Sequence, residues 1–177
     1  MSILFIISGI PASGKTTFAH KLDAKVLSSD AYREKLYGAE EKRFSDDFIN
    51  LVSDADSFTE KQKNYIGSSV VFALIKSVAR GLLENGENVT IDGINGNEWA
   101  RTQYVRELRP YSDKIISIEM TSSLEECIRR NEARDRKVPV EVIEKYYRSY
   151  KSPEKKEGFD ELYTGDETEE LKKYFIK

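Results

Sequence analysis

The stretch "ISGIPASGKTTF", Ile7 to Phe18, decides how the rest of the chain is read. Within it Gly9-x-x-x-x-Gly14-Lys15-Thr16 satisfies the phosphate-loop pattern. The glycines let the backbone curl so that successive N–H groups point inward at phosphates, and a helix opening behind them adds its positive end. Lys15 would reach the β- and γ-phosphates of a nucleotide, while the Thr16 hydroxyl would ligate Mg²⁺. The bland alternative is a glycine-rich turn with an incidental lysine. At average glycine usage a chance match in a chain this long is on the order of 1%, and the match lies where the mechanism needs it, between a strand and a helix. Gly9, Ala12, Ser13, Gly14, Lys15, Thr16 and Thr17 are therefore the candidate contacts to ATP.

Upstream, Ile3 to Ser8 is a continuous apolar run, the pattern of a strand buried on both faces of a parallel sheet. Downstream, Thr16 to Leu22 reads as a helix. "KVLSSD" reads as a second strand ending at Asp30, and "AYREKLYG" as a helix closing at Gly38. Residues 39–56 are acidic and polar with little periodicity, a mobile loop or an irregular helical insert. Ser57 and Glu60 have the spacing of a capping box. Beyond them Ile66, Val70, Leu74, Val78 and Leu82 repeat at helical spacing up to Asn85-Gly86. "NVTID" is a third strand ending at Asp92, and Glu98 to Leu108 a helix closed by Arg109-Pro110. "KIISIEM" is a fourth strand, with a helix through "LEECIRRNEAR" after it. Pro139 starts another helix, with Val140, Ile143, Tyr147 and Tyr150 on one side. "ELYTG" suits an edge strand, and Glu167 to Phe175 a closing helix. This alternation predicts an α/β fold with a mostly parallel central sheet and helices on both faces. One domain over residues 1–177 is the economical expectation.

The chain has 177 residues, 39% hydrophobic and 33% charged, with a formal net charge of -3. That balance excludes an overall basic nucleic-acid coat but leaves room for a local basic groove. A single cysteine, Cys127, permits no internal disulfide, and no Cys/His cluster offers structural zinc. "ILFII" is too short for a signal core and lacks a basic leader. No apolar run is expected to approach the ~20 residues of a membrane span. A soluble protein of the reducing cytoplasm, with no membrane partner, is the expectation; self-association stays open.

Three features bear on what happens to a bound phosphate. "SSDAYR" places Asp30 and Arg33 three residues apart at the ligand-facing end of the second strand. Asp30 suits a general base for an acceptor hydroxyl, or an N-cap; Arg33 suits an anion clamp, or a solvated helix residue. Asp92 is placed like a strand-end Mg²⁺ acid, though an aspartate before glycine is also a common turn residue. Arg129, Arg130, Arg134, Arg136 and Lys137 cluster ahead of Pro139. They suit either a helical lid over residues 124–150 or a salt-bridged surface helix, since Glu125, Glu126 and Glu132 alternate with them. His20 reads as a surface or packing residue and Cys127 as core. Tyr146, Tyr147 and Tyr150 read as packing groups able to stack on a base, and Trp99 as a candidate lining of an acceptor cleft.

The motifs "GIPASGKTT", "DAYR", "TIDG" and "RRNEARDRKVPVEVI", in this order, resemble the kinase domain of bacteriophage-type polynucleotide 5′-kinases from Ile3 to about Tyr150. The resemblance implies an ATP- and Mg²⁺-dependent P-loop kinase that phosphorylates the 5′-hydroxyl of an RNA or DNA end, a nucleic-acid repair activity. Lys15 and Thr16 would then hold the triphosphate and metal, with Asp92 near the metal. Asp30 would be the general base, and Arg33 would contact the acceptor's phosphate. Arg134 would engage the donor phosphates, with Arg130 beside it as a further nucleotide contact. Ala12 stands where relatives commonly have glycine, so its φ is expected to stay below zero. "DGIN" is one residue longer than the usual aspartate-x-asparagine, so Asn95 is not carried over. "SDADSF" lacks the threonine of a phosphatase Asp-x-Asp-x-Thr motif, which points to kinase chemistry alone. Related folds also serve aminoacyl-tRNA, modified DNA bases and nucleotide-sugars as acceptors, and a switch that hydrolyses ATP without an acceptor is the reading from another class.

Overall fold

The computed structural model describes residues 1–38, 45–51, 53–165 and 168–176. Five strands form one parallel sheet: β1 (Ile3–Ser8), β2 (Lys25–Ser28), β3 (Val89–Asp92), β4 (Lys114–Glu119) and β5 (Glu161–Thr164), in the order β2-β3-β1-β4-β5. The helices are α1 (Lys15–Ala19), α2 (Ser29–Tyr37), α3 (Asp46–Ile49), α4 (Glu60–Glu84), α5 (Glu98–Leu108), α6 (Leu124–Glu132), α7 (Val140–Ser149) and α8 (Thr168–Leu171).

β1 shows why its sequence is apolar from Ile3 to Ile7. Leu4 and Ile6 point to one face, where they join Val71, Ile75, Ala79 and Leu83 of α4 and Tyr104, Val105 and Leu108 of α5. Ile3, Phe5 and Ile7 point to the other, against Phe18 and Ala19 of α1 and Leu171 of α8. Each such fully buried large side chain stabilises by roughly 1.5–3 kcal/mol relative to leaving it exposed. With both faces covered, nothing from Ile3 to Ile7 needs to be polar, and the one polar residue, Ser8, stands at the strand end, where its hydroxyl accepts from Tyr150.

Several boundaries and faces differ from the sequence pattern. β2 ends at Ser28, so Ser29 and Asp30 form the first turn of α2 and do not end the strand. α1 stops at Ala19, because Leu22 turns inward to bridge Phe175. The capping box of α4 is Thr59–Gln62, not Ser57–Glu60: the Thr59 hydroxyl accepts from Gln62 N–H at 3.3 Å and the Gln62 side chain from Thr59 N–H at 2.9 Å. The buried seam of α4 lies one residue along from the expected stripe, at Gly67, Val71, Ile75, Ala79 and Leu83. Ile66, Val70, Leu74, Val78 and Leu82 flank it half-buried, because α4 carries two adjacent apolar rows and the sheet takes the one with the smaller residues. Among the described residues α4 alone is long and apolar enough by length and composition to cross a membrane, a test that a core helix also passes, and its seam packs in the core against the sheet. In α7 only Ile143 of the expected side is buried; Val140 and Tyr147 are exposed, and Tyr150 lies past the helix end. Of the 39–56 segment, residues 39–44 and 52 lie outside the described residues, and the remainder holds α3 and a 3₁₀ turn at Ala55–Ser57. The closing helix is shorter than expected, Thr168–Leu171 followed by a 3₁₀ turn.

Candidate active site

β1, β2 and β3 all point their C-terminal ends to one edge, and β1 sits where the strand order reverses direction. Ligand crevices of open α/β sheets form at such a switch point. The loop from Gly9 to Gly14 wraps this edge. Gly9 has φ +151°, and a Cβ there would lie 2.7 Å from the Ser13 hydroxyl; Gly14 has φ +94° as it opens α1. Ala12 overturns its expectation, with φ +62° in the left-handed region. That conformation costs a non-glycine residue roughly 1–2 kcal/mol. Burial of its methyl beside Ile10, Cys127 and Ile143 recovers about 0.8 kcal/mol.

Two adjoining clefts open at this edge. The first, about 640 Å³, is lined by Ala12, Gly14, Lys15, Thr16 and Thr17 of the loop, with Asp92, Arg134 and Arg136 among the groups facing them. Gly9 and Ser13 do not line it. The buried Ser13 side chain has no partner among the described residues, and its carbonyl accepts from Ser122 and, at 3.4 Å, from Arg130. Arg130 thus braces the back of the loop, also donating to the Ser122 hydroxyl at 3.0 Å and to Glu126 at 2.6 Å. Glu126, held between Arg129 and Arg130, has its carboxyl lowered to about 2 by those hydrogen bonds.

Lys15 is buried, its ammonium donating to the Ile10 carbonyl at 2.7 Å. Burial lowers its pKa to about 8, against the opposing pull of Asp92 and Asp30. The Thr16 hydroxyl donates to Asp92 at 2.7 Å. Among the described residues no cluster of three or more His, Cys, Asp or Glu could hold a metal by itself. Thr16 and Asp92 nonetheless form a pair of hard oxygen donors suited to a Mg²⁺ that takes its remaining ligands from phosphates and water. The formal charges in this cleft also cancel, Lys15, Arg134 and Arg136 against Asp30, Asp92 and Asp135, so a polyphosphate entering it needs a divalent cation for neutrality.

The second cleft, about 530 Å³, is lined by Asp30, Arg33, Arg136, Phe72 and Tyr146 together with polar groups such as Asn64 and Asn97. Its formal charge is +1, from two arginines and one aspartate. Asp30, Gly93, Ile94, Arg136 and Tyr146 line both clefts. Asp30 is exposed, and its carboxylate lies 3.5 Å from the Arg33 guanidinium, one turn along α2. Trp99 is exposed and lines neither cleft; Asn97 and Ala100 stand there instead.

The loop after β3 is the floor shared by the clefts. Asn95, at φ +44° and buried, donates from its amide to the Ile7 carbonyl at 2.7 Å, and Gly9 N–H donates to the Ile94 carbonyl. Arg101 holds this floor from below and was not among the sequence candidates. Fully buried, its guanidinium donates twice to Glu157 (2.7 and 2.6 Å) and to the carbonyls of Asn95, Lys151 and Ser152. Its partner is 56 residues away in the chain, and no local pattern announces the pair.

A family model described as an AAA domain matches residues 4–153. L-seryl-tRNA(Sec) kinase of Methanococcus maripaludis is 26% identical over 158 residues, covering 89% of this chain and 56% of its own length. A probable adenylyl-sulfate kinase of Aeropyrum pernix is 28% identical over 129 residues, covering 73% of this chain and 64% of its own. The chain therefore spans somewhat over half the length of these relatives. Among solved structures, the Pnkp1/Rnl/Hen1 RNA repair complex superposes with a TM-score of 0.63 at 20% identity, over 84% of this chain and 43% of that one, a likeness of fold.

Proposed function

The chain belongs to the AAA-domain family, and from that premise we propose that it is an ATP-dependent kinase transferring the γ-phosphate to the 5′-hydroxyl of an RNA or DNA end. The observation that carries this reading is Asp30, a carboxylate lining both a phosphate-loop cleft and a cleft beside it. A base placed there reaches an acceptor hydroxyl held in one cleft and aimed at a phosphate held in the other.

The first cleft takes ATP. Loop amides and Lys15 cradle the phosphates, and Arg134 engages them from the α6–α7 side, which acts as the lid. Mg²⁺ held at Thr16 and Asp92 would neutralise charge on the phosphate oxygens. Asp30 accepts the hydroxyl proton as the acceptor oxygen bonds to phosphorus. The bond from the γ-phosphorus to the bridging oxygen breaks, and ADP leaves with the electron pair. The second cleft takes the acceptor end. Its positive charge suits an anion at Arg33, and the rings of Phe72 and Tyr146 suit stacking of a base.

Replacing Asp30 with alanine should abolish transfer from γ-labelled ATP to a 5′-hydroxyl oligonucleotide while ATP binding survives. Full transfer by that variant sinks the assignment of the base. A second acceptor is favoured by the relative that is a seryl-tRNA kinase, since the same two clefts would accept a serine hydroxyl on an anionic tRNA end. Label appearing on seryl-tRNA and not on oligonucleotides decides for it. Phosphate release unaffected by either acceptor decides for a switch.

A further inference from the structure

The basic cluster ahead of α7 is not one uniform charge. Arg129 donates to Glu126 at 2.7 and 2.8 Å, and Arg130 is committed to Glu126, Ser122 and the Ser13 carbonyl. Arg134 and Arg136 have no side-chain hydrogen bond or ion pair among the described residues, and both face the clefts. They face different space. Arg134 lines the first cleft alone, whereas Arg136 lines both.

A transferred phosphoryl group has to cross where the clefts meet. Five residues are common to both, and only two of those carry charge: Asp30, negative, and Arg136, positive. The loop bearing Arg136 is also held at its ends. The Asn131 side chain donates to the Val138 carbonyl at 2.8 Å and accepts from Val138 N–H at 2.9 Å, closing residues 132–137 into a clip. Below it Cys127 and Ile143 pack on Ile10 and Ala12 of the phosphate loop, so the clip rides on the same body that holds the donor.

We infer that Arg136 is a catalytic residue whose guanidinium engages the γ-phosphoryl group while it moves between the clefts, leaving donor binding to Arg134. This rests on the phosphotransfer reading of the site. At the midpoint of transfer the negative charge is spread over three equatorial oxygens, which a planar, multiply donating cation matches better than a point charge. Arg136 forms no covalent bond; the acceptor oxygen gains the phosphorus, ADP takes the electron pair and Asp30 the proton. Arg136 is then specific to the transition state, while Arg134 acts on ATP from the start.

The test compares Arg136→Ala, Arg136→Lys and Arg134→Ala with the unaltered chain in two assays. In the first, Mg·ADP affinity is measured with and without aluminium fluoride, a stand-in for the phosphoryl in transit, and the ratio of the two affinities is read. In the second, kcat and KM are measured with ATP and a 5′-hydroxyl oligonucleotide. Arg136→Ala should lose most of the fluoride-dependent tightening and about 10²–10³-fold in kcat, the usual loss for one transition-state donor. The KM values should move by less than about threefold. Lysine should restore part of both. Arg134→Ala should chiefly raise the KM for ATP.

Full fluoride-dependent tightening in Arg136→Ala overturns the assignment. So does a loss confined to the oligonucleotide KM, or the absence of tightening in the unaltered chain. If the unaltered chain tightens but transfers nothing to oligonucleotides, the acceptor reading falls and the fluoride assay still decides Arg136. Among the described residues the side chain has no partner to lose, so its truncation should leave the melting temperature in place; if it does not, Arg136→Gln is read in the same assays with the same criteria.

Discussion

Lys15 carries the clearest single-residue consequence. Its ammonium is buried against the Ile10 carbonyl, and its pKa falls to about 8 because burial outweighs Asp92 and Asp30. Cys127 adds to the pull of the two carboxylates, and Arg134 opposes it. Phosphate oxygens favour the charged amine. Below about pH 8 the lysine is already protonated when ATP arrives; above it, binding must take up a proton. ATP affinity should therefore be full below that point and fall by up to about tenfold per pH unit above it. Titrating ATP binding from about pH 7 to about pH 9.5 checks the sign, and a flat profile refutes it. Ala12 is the other residue whose conformation has a cost of its own. Its left-handed backbone is a strain that glycine would not feel, and a buried methyl is the compensation.

At the level of elements, the segment leaving α7 is tied down more firmly than its sequence suggests. Tyr150 donates to the Ser8 hydroxyl at 2.9 Å, Lys151 N–H donates to the Gly96 carbonyl, and Arg101 binds the carbonyls of Lys151 and Ser152. Burial raises the pKa of Tyr150 well above its ordinary value, so it stays a donor. Arg101 thus couples α5, the loop after β3 and the exit from α7 through one guanidinium. Replacing it with leucine leaves Glu157 buried and unpaired, and should cost about 3–5 kcal/mol of stability. The loss should be largest in the loop after β3 and in residues 150–157, readable as faster amide exchange there than in β1 or β4. Stability within about 1 kcal/mol of the unaltered chain would refute this coupling.

For the whole molecule, the phosphate loop, the strand-end acid and the α6–α7 pair come from distant parts of the chain and meet at one sheet edge. A ligand spanning them should therefore stabilise the fold as a unit. With ATP and Mg²⁺ at about a hundred times the dissociation constant, linkage predicts about 2.7 kcal/mol, or roughly 5–10 °C in Tm for a chain of this size. A chelator should remove much of that shift, because the formal charges around the first cleft already cancel and leave the polyphosphate unneutralised. An unchanged Tm with ATP and Mg²⁺, or the same shift with chelator present, would contradict this charge accounting.

Local rules were enough for much of the architecture. β1 was legible from its double-sided apolar run, α5 from its boundaries, and the loop from glycine spacing, because each depends on residues within a few positions of one another. The candidate pair Asp30 and Arg33 was legible for the same reason, although the strand ends two residues earlier than its pattern suggests. What the sequence could not hold was anything set by partners far along the chain. The rotation of α4 by one residue follows from which of two apolar rows fits the sheet. The Arg101–Glu157 pair spans 56 positions, and the positive φ of Ala12 is stabilised by Cys127 and Ile143. The different placement of the arginines is of the same kind. Five basic residues in one short stretch look equivalent in sequence, and only the meeting of two clefts, built from segments scattered along the chain, puts Arg136 together with Asp30 in the lining of both.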